Sequence, residues 1–184
     1  MIKNTDHLYG SLARLLHWGI GFLLIGQLAI GYWMPGLPDG DSKWAIYGLH
    51  KSIGVILLGL GLARVLWRLV NPTPIFLANF TRWYRYLAQT THFALYAFTI
   101  LMSLSGFLMS WAGGYPINFF SLFTISAAEP KIAEISQWAY LVHGYAAWPF
   151  SILIVGHIIA AFYHHFALKD ETLRRMIGLK SRSL

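Results

Sequence analysis

The chain contains no cysteine among its 184 residues. That absence excludes disulfides, cysteine-ligated iron–sulfur clusters and covalent c-type haem attachment through a C-x-x-C-H motif. Charge is also scarce, since 11% of the residues are charged and 57% are hydrophobic. A soluble domain of this size carries about 25% charged residues. The composition is therefore that of a membrane protein.

Four apolar segments are long enough to cross a bilayer, at approximately residues 14–34, 46–70, 87–111 and 138–168. Proline and glycine clusters end the first three, and Pro149 inside the fourth predicts a kink. Because short connections favour antiparallel neighbours, we predict an all-α, up-down-up-down transmembrane four-helix bundle over a single domain, residues 1–184. Residues 117–137 read as an external loop with a short interfacial helix.

Two further absences refine this picture. No segment contains Asp or Glu, so a carboxylate proton wire is excluded and proton pumping is not expected. The first segment is too long for a signal-peptide core and lacks a small-x-small cleavage site. We therefore expect it in the mature chain.

The net charge of +7 is distributed unevenly over this topology. One side of the membrane receives only Lys43, Lys51 and Lys131. The side of the two termini receives Lys3, Arg14, Arg64, Arg68, Arg82, Arg85, Lys169, Arg174, Arg175, Lys180 and Arg182. This asymmetry predicts a bacterial inner-membrane protein with both termini in the cytoplasm. It also argues against a nucleic-acid partner, because a protein that binds nucleic acid needs a basic patch on a water-exposed face.

Four histidines lie on the apolar segments: His17, His50, His143 and His157. His143 and His157 are fourteen residues apart, which corresponds to about 1400° of helix rotation and about 21 Å of rise. Both rings therefore leave one helix face, one near each edge of a hydrocarbon layer about 30 Å thick. His17 matches the depth of His157, and His50 matches that of His143. Singly, each could be a polar contact between helices, but two depth-matched pairs predict iron ligation in two b haems.

Glycines near two of these histidines fit the same interpretation. The segments His17-Trp-Gly-Ile-Gly21 and His50-Lys-Ser-Ile-Gly54 share the pattern H-x-x-I-G. Gly21 and Gly54 then lie one turn after each histidine on the same face, where the missing side chain leaves room for a haem.

Arginines and further histidines supply other candidates. Arg64, fourteen residues after His50, and Arg14, one turn before His17, are candidates to pair with haem propionates. For Arg64 the alternative is a positive-inside anchor.

His164 and His165 end the fourth segment, where one of them could exchange a proton with a quinone, or both could cap the interface. For His92 we favour hydrogen bonding or quinone contact over ligation.

These residues resemble the bacterial cytochrome b561 family, the four-helix di-haem membrane cytochromes, over nearly the whole chain. The matching positions are His17-Trp18, His50, Arg64 and Arg68 leading to Pro72-Thr73-Pro74, His143, His157, and the tail His164-His165-x-x-x-Lys169-Asp170-x-Thr172-Leu173-x-Arg175-Met176. The tail is the specific part of the likeness. The resemblance implies two b haems, at His17/His157 and His50/His143.

The resemblance also implies an activity. One member of the family is a superoxide oxidase, which takes electrons from superoxide on the periplasmic side and passes them to ubiquinone. We therefore expect superoxide as the substrate and ubiquinone as the acceptor, with Lys51 beside His50 as the catalytic cation that steers the anion. Four acidic residues share that side with the lysines: Asp39, Asp41, Glu129 and Glu134.

Two other hypotheses use the same chain differently. In the first, the haems belong to a membrane anchor subunit that passes electrons between quinone and a soluble dehydrogenase or hydrogenase. That subunit needs a docking surface, for which the short external loops leave little room. In the second, the bundle is a haem-free structural or transport protein, which the absence of intramembrane acids disfavours.

Overall fold

The computed structural model describes residues 1–75 and 81–179. Within them, four helices are long and apolar enough to cross a membrane. They are α1 (Ser11–Trp33), α2 (Asp41–Val70), α3 (Arg82–Ala112) and α4 (Ala133–Phe166). A 3₁₀ turn (Met34–Gly36) follows α1, a hairpin of β1 (Ile117–Phe119) and β2 (Phe123–Ile125) follows α3, and a short helix α5 (Thr172–Ile177) follows α4. The predicted helical membrane bundle is confirmed.

Local sequence explains where these helices begin and end. Pro35 lies in the 3₁₀ turn after α1, where a residue without an N–H donor is tolerated. Thr81 caps α3, because its side-chain oxygen accepts a hydrogen bond from the Tyr84 N–H at 3.4 Å. Gly114, with φ +79°, turns the chain out of α3. Pro149 lies inside α4, which continues without a break on both sides of it.

The hairpin corrects the prediction of a short interfacial helix after α3. Ile117 pairs with Ile125 and Phe119 with Phe123 in an antiparallel ladder. The tight turn is formed by Phe120 and Ser121, which both have positive φ. The hairpin rests on α2 through Ser52, whose hydroxyl donates to the Asn118 carbonyl at 3.1 Å.

The long helices pack in chain order, α1 on α2, α2 on α3 and α3 on α4. Gly61 brings α2 close to α3, since a Cβ there would lie 3.0 Å from Ile100. Phe98 and Phe150 stack in the contact between α3 and α4, with ring centroids 5.6 Å apart. Among the described residues, α4 has extensive backbone contact with α3 and α5 only. The backbone of α4 is therefore farther from α1 and α2 than from α3, and His157 and His143 reach across towards His17 and His50.

The bundle has two distinct ends. The hairpin end carries the 3₁₀ turn, the start of α2 and the β-hairpin. The terminal end carries the first ten residues, the end of α2 and helix α5. At the terminal end the Trp18 indole donates to the Met176 carbonyl at 3.2 Å, and Arg175 donates to the Ile75 carbonyl at 2.8 Å. These bonds dock α5 beneath the bundle.

Candidate functional site

Two pairs of imidazole rings span the space between α4 and the earlier helices. At the terminal end the ring centroids of His17 and His157 are 6.1 Å apart, with an interplanar angle of 72°. At the hairpin end those of His50 and His143 are 6.3 Å apart, at 89°. The structure thus brings together the histidines that were paired by depth, one pair at each end of α4.

The hairpin-end pair has its hydrogen bonding arranged by α3. Nδ1 of His143 donates to the Met102 carbonyl at 3.0 Å and lies 3.2 Å from the Ser105 hydroxyl. With the proton held on Nδ1, Nε2 keeps its lone pair free for a metal. Nδ1 of His50 is buried without a hydrogen-bond partner. The buried amide of Gln27 donates to the His50 carbonyl at 2.8 Å.

Two glycines make room for the hairpin-end rings, and the sequence analysis did not identify either. A Cβ at Gly106 would lie 2.9 Å from Cε1 of His143, and a Cβ at Gly31 would lie 3.3 Å from Cε1 of His50. Both rings therefore lie directly against a helix backbone. The pattern H-x-x-I-G does not include either glycine, because each one is on the helix that faces the histidine.

The terminal-end pair is joined by a third imidazole. The ring of His92 on α3 lies 5.7 Å from that of His157, at 72°. Nη2 of Arg64 donates to Nδ1 of His17 at 2.9 Å, and the guanidinium also lies 5.2 Å from the Tyr96 ring. Since arginine only donates, Nδ1 of His17 accepts in this arrangement.

Three more residues were predicted to contact the haems: Arg14, Gly21 and Gly54. The Arg14 guanidinium packs against Gly178 at the end of α5, where Gly has φ +82°, and its Nε is buried without a hydrogen-bond partner. A Cβ at Gly21 would meet no atom within 4 Å. A Cβ at Gly54 would lie 3.8 Å from the Gln27 amide.

A cavity of about 980 Å³ opens from the terminal-end pair towards α5. Its walls are mostly apolar, and the polar and charged groups on them include Tyr9, Arg68, Tyr84, Gln89, His92, His157, His164 and Arg175. Burial raises the pKa of the Tyr9 hydroxyl, so this group stays a neutral donor at neutral pH. The combination of apolar walls and a few polar groups is typical of a site for a large, mostly apolar molecule.

In the wall of this cavity His164 forms a pair with Asp170. The carboxylate accepts a hydrogen bond from Nδ1 of His164 at 2.5 Å and another from the Thr172 N–H at 2.9 Å. The side chains are 17% and 6% exposed, respectively. Burial alone would raise the pKa of Asp170, but the hydrogen bonds from His164 and Thr172 outweigh it and hold the pKa below its ordinary value of 3.8. His165, the alternative to His164, does not line the cavity.

At the hairpin end Lys51 lines a smaller cavity, of about 80 Å³, together with His50 and His143. Its ammonium group lies 5.6 Å from the centroid of the Tyr115 ring, and that of Lys131 lies 5.7 Å from the same centroid. Lys43, by contrast, is bound to Asp39 at 2.9 Å.

The two imidazole pairs fit a metal held between two rings. An imidazole nitrogen binds a metal at about 2.0 Å and lies roughly 1.1 Å from its ring centroid, so two rings on one metal have centroids about 6.2 Å apart. The spacings of 6.1 and 6.3 Å match that value. In the part of the chain that the structure describes, no three His, Cys, Asp or Glu side chains converge as a protein-only metal site requires. The remaining ligands would have to come from a cofactor, as they do in haem.

Residues 8–179 match the family described as prokaryotic cytochrome b561. The chain belongs to this family. Three similar relatives extend over nearly the full length of both chains. "Cytochrome b561 homolog 2" of Escherichia coli K12 is 36% identical over 97% of this chain and 95% of its own. "Probable superoxide oxidase CybB" of Yersinia pestis is 29% identical over 94% and 97%, and "Cytochrome b562" of Cereibacter sphaeroides is 26% identical over 92% and 94%.

Membership in the cytochrome b561 family makes this chain a bacterial membrane protein of electron transfer with b-type haem as its cofactor. The recognition made from the histidines and the tail is confirmed.

Proposed function

We propose that this cytochrome b561 holds two b haems, one between His17 and His157 and one between His50 and His143, and uses them to carry electrons from superoxide to ubiquinone. The observation that carries the proposal is the pair of ring spacings, 6.1 and 6.3 Å, at opposite ends of one helix. Iron held by two imidazoles shuttles one electron and keeps no open coordination position.

The protein groups around each ring have defined tasks in this proposal. The Met102 carbonyl orients His143 through Nδ1, which fixes the tautomer and raises the basicity of Nε2. Gly21 and Gly54 leave room for the cofactor beside His17 and His50, as the missing contacts at Gly21 allow.

Arg64 and Arg14 would neutralise carboxylates of the terminal-end haem. If Nε2 of His17 held the haem iron, its Nδ1 would carry the proton and would no longer accept a hydrogen bond from Arg64. The guanidinium would then be released from the 2.9 Å contact with His17 and be available to a propionate. Arg14 lies one turn before His17 on α1, and among the described residues its Nε has no hydrogen-bond partner.

Two observations support superoxide as the substrate: the name of one relative and a pair of lysines at the hairpin end. The Yersinia pestis relative is named a probable superoxide oxidase. At the hairpin end, Lys51 and Lys131 flank Tyr115, and within the described chain neither lysine has a carboxylate within ion-pair distance. Lys51 beside His50 and Lys131 on the other side of Tyr115 would together attract a small anion. Lys51, which lines the cavity with both histidines, is the proposed catalytic cation.

Ubiquinone is assigned to the large cavity at the terminal end. The cavity is mostly apolar and is lined by residues from His157 to Arg175 on α5. His164 also lines it and is the proposed proton donor to the quinone. The positive residues of the terminal end support placing that end in the cytoplasm, although Lys180 and Arg182, which were counted there, lie outside the described residues.

One spectroscopic experiment tests this function. Purified protein in detergent is examined by reduced-minus-oxidised spectra with haem quantitation, then treated with superoxide and finally with ubiquinone. We expect two low-spin b haems per chain, reduced by superoxide and reoxidised by ubiquinone. Two haems that do not respond to superoxide would instead favour the anchor-subunit function, and copurification would then identify the soluble partner. A colourless protein would refute the ligand assignment.

A further inference from the structure

His164 and Asp170 form a partly buried, hydrogen-bonded pair of histidine and carboxylate. The turn after α4 builds it: Lys169 has φ +53°, and the Asp170 N–H donates back to the His164 carbonyl at 3.1 Å. This turn brings the carboxylate onto Nδ1 of a ring that belongs to the preceding helix. The second carboxylate oxygen accepts from the Thr172 N–H, so the orientation of Asp170 is fixed from two sides.

We propose that Asp170 is a positioning residue of a proton relay, which holds Nδ1 of His164 so that Nε2 donates a proton to a quinone oxygen in the large cavity. The inference rests on the proposed function, because it assumes that the cavity binds ubiquinone. It adds a residue, a tautomer and a side of proton entry to that function.

The proposed reaction conserves both electrons and protons. Two superoxide anions each lose one electron and leave as dioxygen, and the quinone gains two electrons and two protons to leave as quinol. In each one-electron step, the N–H bond at Nε2 of His164 breaks and an O–H bond forms on the reduced quinone. His164 then takes a proton from water at the terminal end. The Asp170 carboxylate stays ionised throughout and stabilises the imidazolium through Nδ1–H, as the carboxylate of a catalytic triad does.

Other charged and titratable groups also face this site. They lie on every element around the cavity: Tyr9 on the N-terminal segment, Arg68 on α2, Tyr84, His92 and Tyr96 on α3, His157 and Tyr163 on α4, and Arg175 on α5. The two arginines disfavour an imidazolium and favour a negative charge on the quinone oxygen. Asp170 is an acidic group in hydrogen-bond contact with His164, and its charge opposes that of the arginines. Its removal takes away the negative charge that stabilises the imidazolium formed when Nε2 is protonated.

The test uses intact protein reduced in advance with one electron per haem and mixed with a short-chain ubiquinone, while reoxidation is followed optically from pH 5.5 to 9. In the wild type we expect the rate to fall on the alkaline side. Asp170→Asn keeps an acceptor for Nδ1 but removes the charge, and should move this fall to lower pH by about one unit or more. Asp170→Glu should restore the profile. His164→Gln should slow reoxidation about 100-fold.

His165→Gln is the matched control. His165 is the next residue on α4, and its ring does not line the cavity, so its profile should coincide with that of the wild type. In every variant the haem content and the rate of reduction by superoxide should be unchanged, because these depend on other residues. If Asp170→Asn loses haem, His164→Gln and Asp170→Glu decide the question. Proteoliposomes with a trapped pH dye add a readout, which is the side of proton uptake.

The possible results distinguish a failure of the proton relay from a failure of the proposed function. A wild-type protein that ubiquinone does not reoxidise would refute the proposed function and the relay together. A wild type that is reoxidised, with Asp170→Asn following the same pH profile or proton uptake from the hairpin end, would overturn the relay alone. A displaced profile with proton uptake from the terminal end supports it.

Discussion

At His157 two imidazoles compete for the role of partner ligand. The ring of His17 lies 6.1 Å away and that of His92 lies 5.7 Å away, while two rings on one metal require about 6.2 Å. We therefore expect His17→Gln to retain one haem per chain and His92→Gln to retain two, as measured by pyridine haemochrome assay. One haem in His92→Gln and two in His17→Gln would reassign the ligand.

Lys51 is expected to control the rate at which superoxide reduces the haem. Because it is an uncompensated cation next to His50, Lys51→Gln should slow haem reduction by superoxide several-fold at low salt and weaken the dependence of that rate on ionic strength. Lys43→Gln is the matched control, since Lys43 is already paired with Asp39 and should contribute little steering. Stopped-flow rates at several salt concentrations measure both effects. Equal rates in wild type and Lys51→Gln would remove Lys51 from the mechanism.

At the scale of elements, hydropathy located the ends of the helices better than their starts. Helices α2, α3 and α4 each begin five residues before the predicted positions 46, 87 and 138. The reason is physical: a helix continues into polar, water-satisfied residues at the interface, which hydropathy does not register. The ends coincide with glycine and proline signals that break helices, as at Gly113. The hairpin was missed because its strands have only three residues each, too few for a clear alternation.

The close contact between α3 and α4 at Gly106 should be needed for haem binding at the hairpin end. A Cβ at Gly106 would lie 2.9 Å from His143, and this ring cannot retreat without losing the bond to the Met102 carbonyl. Gly106→Ala should therefore lower the occupancy of the hairpin-end haem or shift its midpoint potential, as a redox titration followed optically would record. Gly59→Ala, where a Cβ meets no neighbour within 4 Å, is the control. A titration identical to wild type would show that the ring has room to move.

Helix α5 should respond to acid through Asp170. The pKa of this carboxyl is held below 3.8 in the fold, so its ionised form adds stability above the unfolded value of about 3.9. That contribution is lost as the pH falls through the folded pKa. Amide protection of residues 172–177 in hydrogen exchange, corrected for intrinsic rates, should be constant near pH 5 and decline below about pH 4. Asp170→Asn should show no such decline, and a decline in that variant would assign the effect to another group.

For the whole molecule, the charge asymmetry predicts the orientation in the membrane. Nine of the lysines and arginines assigned to the terminal end lie in the described chain, against Lys43, Lys51 and Lys131 at the hairpin end. A fluorescent protein fused to the C-terminus should therefore fold and fluoresce in the cytoplasm, whereas alkaline phosphatase fused there should be inactive. Active phosphatase at that position would invert the topology and place the proposed superoxide site on the cytoplasmic side.

The candidate site was predictable to the extent that it depends on one helix at a time. The fourteen-residue spacing of His143 and His157 follows from helix geometry alone, and so does the face they share. Gly31, Gly106 and the His164–Asp170 pair were not predictable. They depend on which faces two helices present to each other and on a turn whose backbone the sequence does not specify.

The placement of α4 has a consequence for biosynthesis. This helix supplies one histidine to each proposed pair, and it is the last in chain order of the four described spans. A nascent chain that has inserted only α1 to α3 would offer only one histidine of each proposed pair. Haem binding would then have to follow the insertion of α4, and chains truncated before Ala133 should be made and inserted but remain without haem.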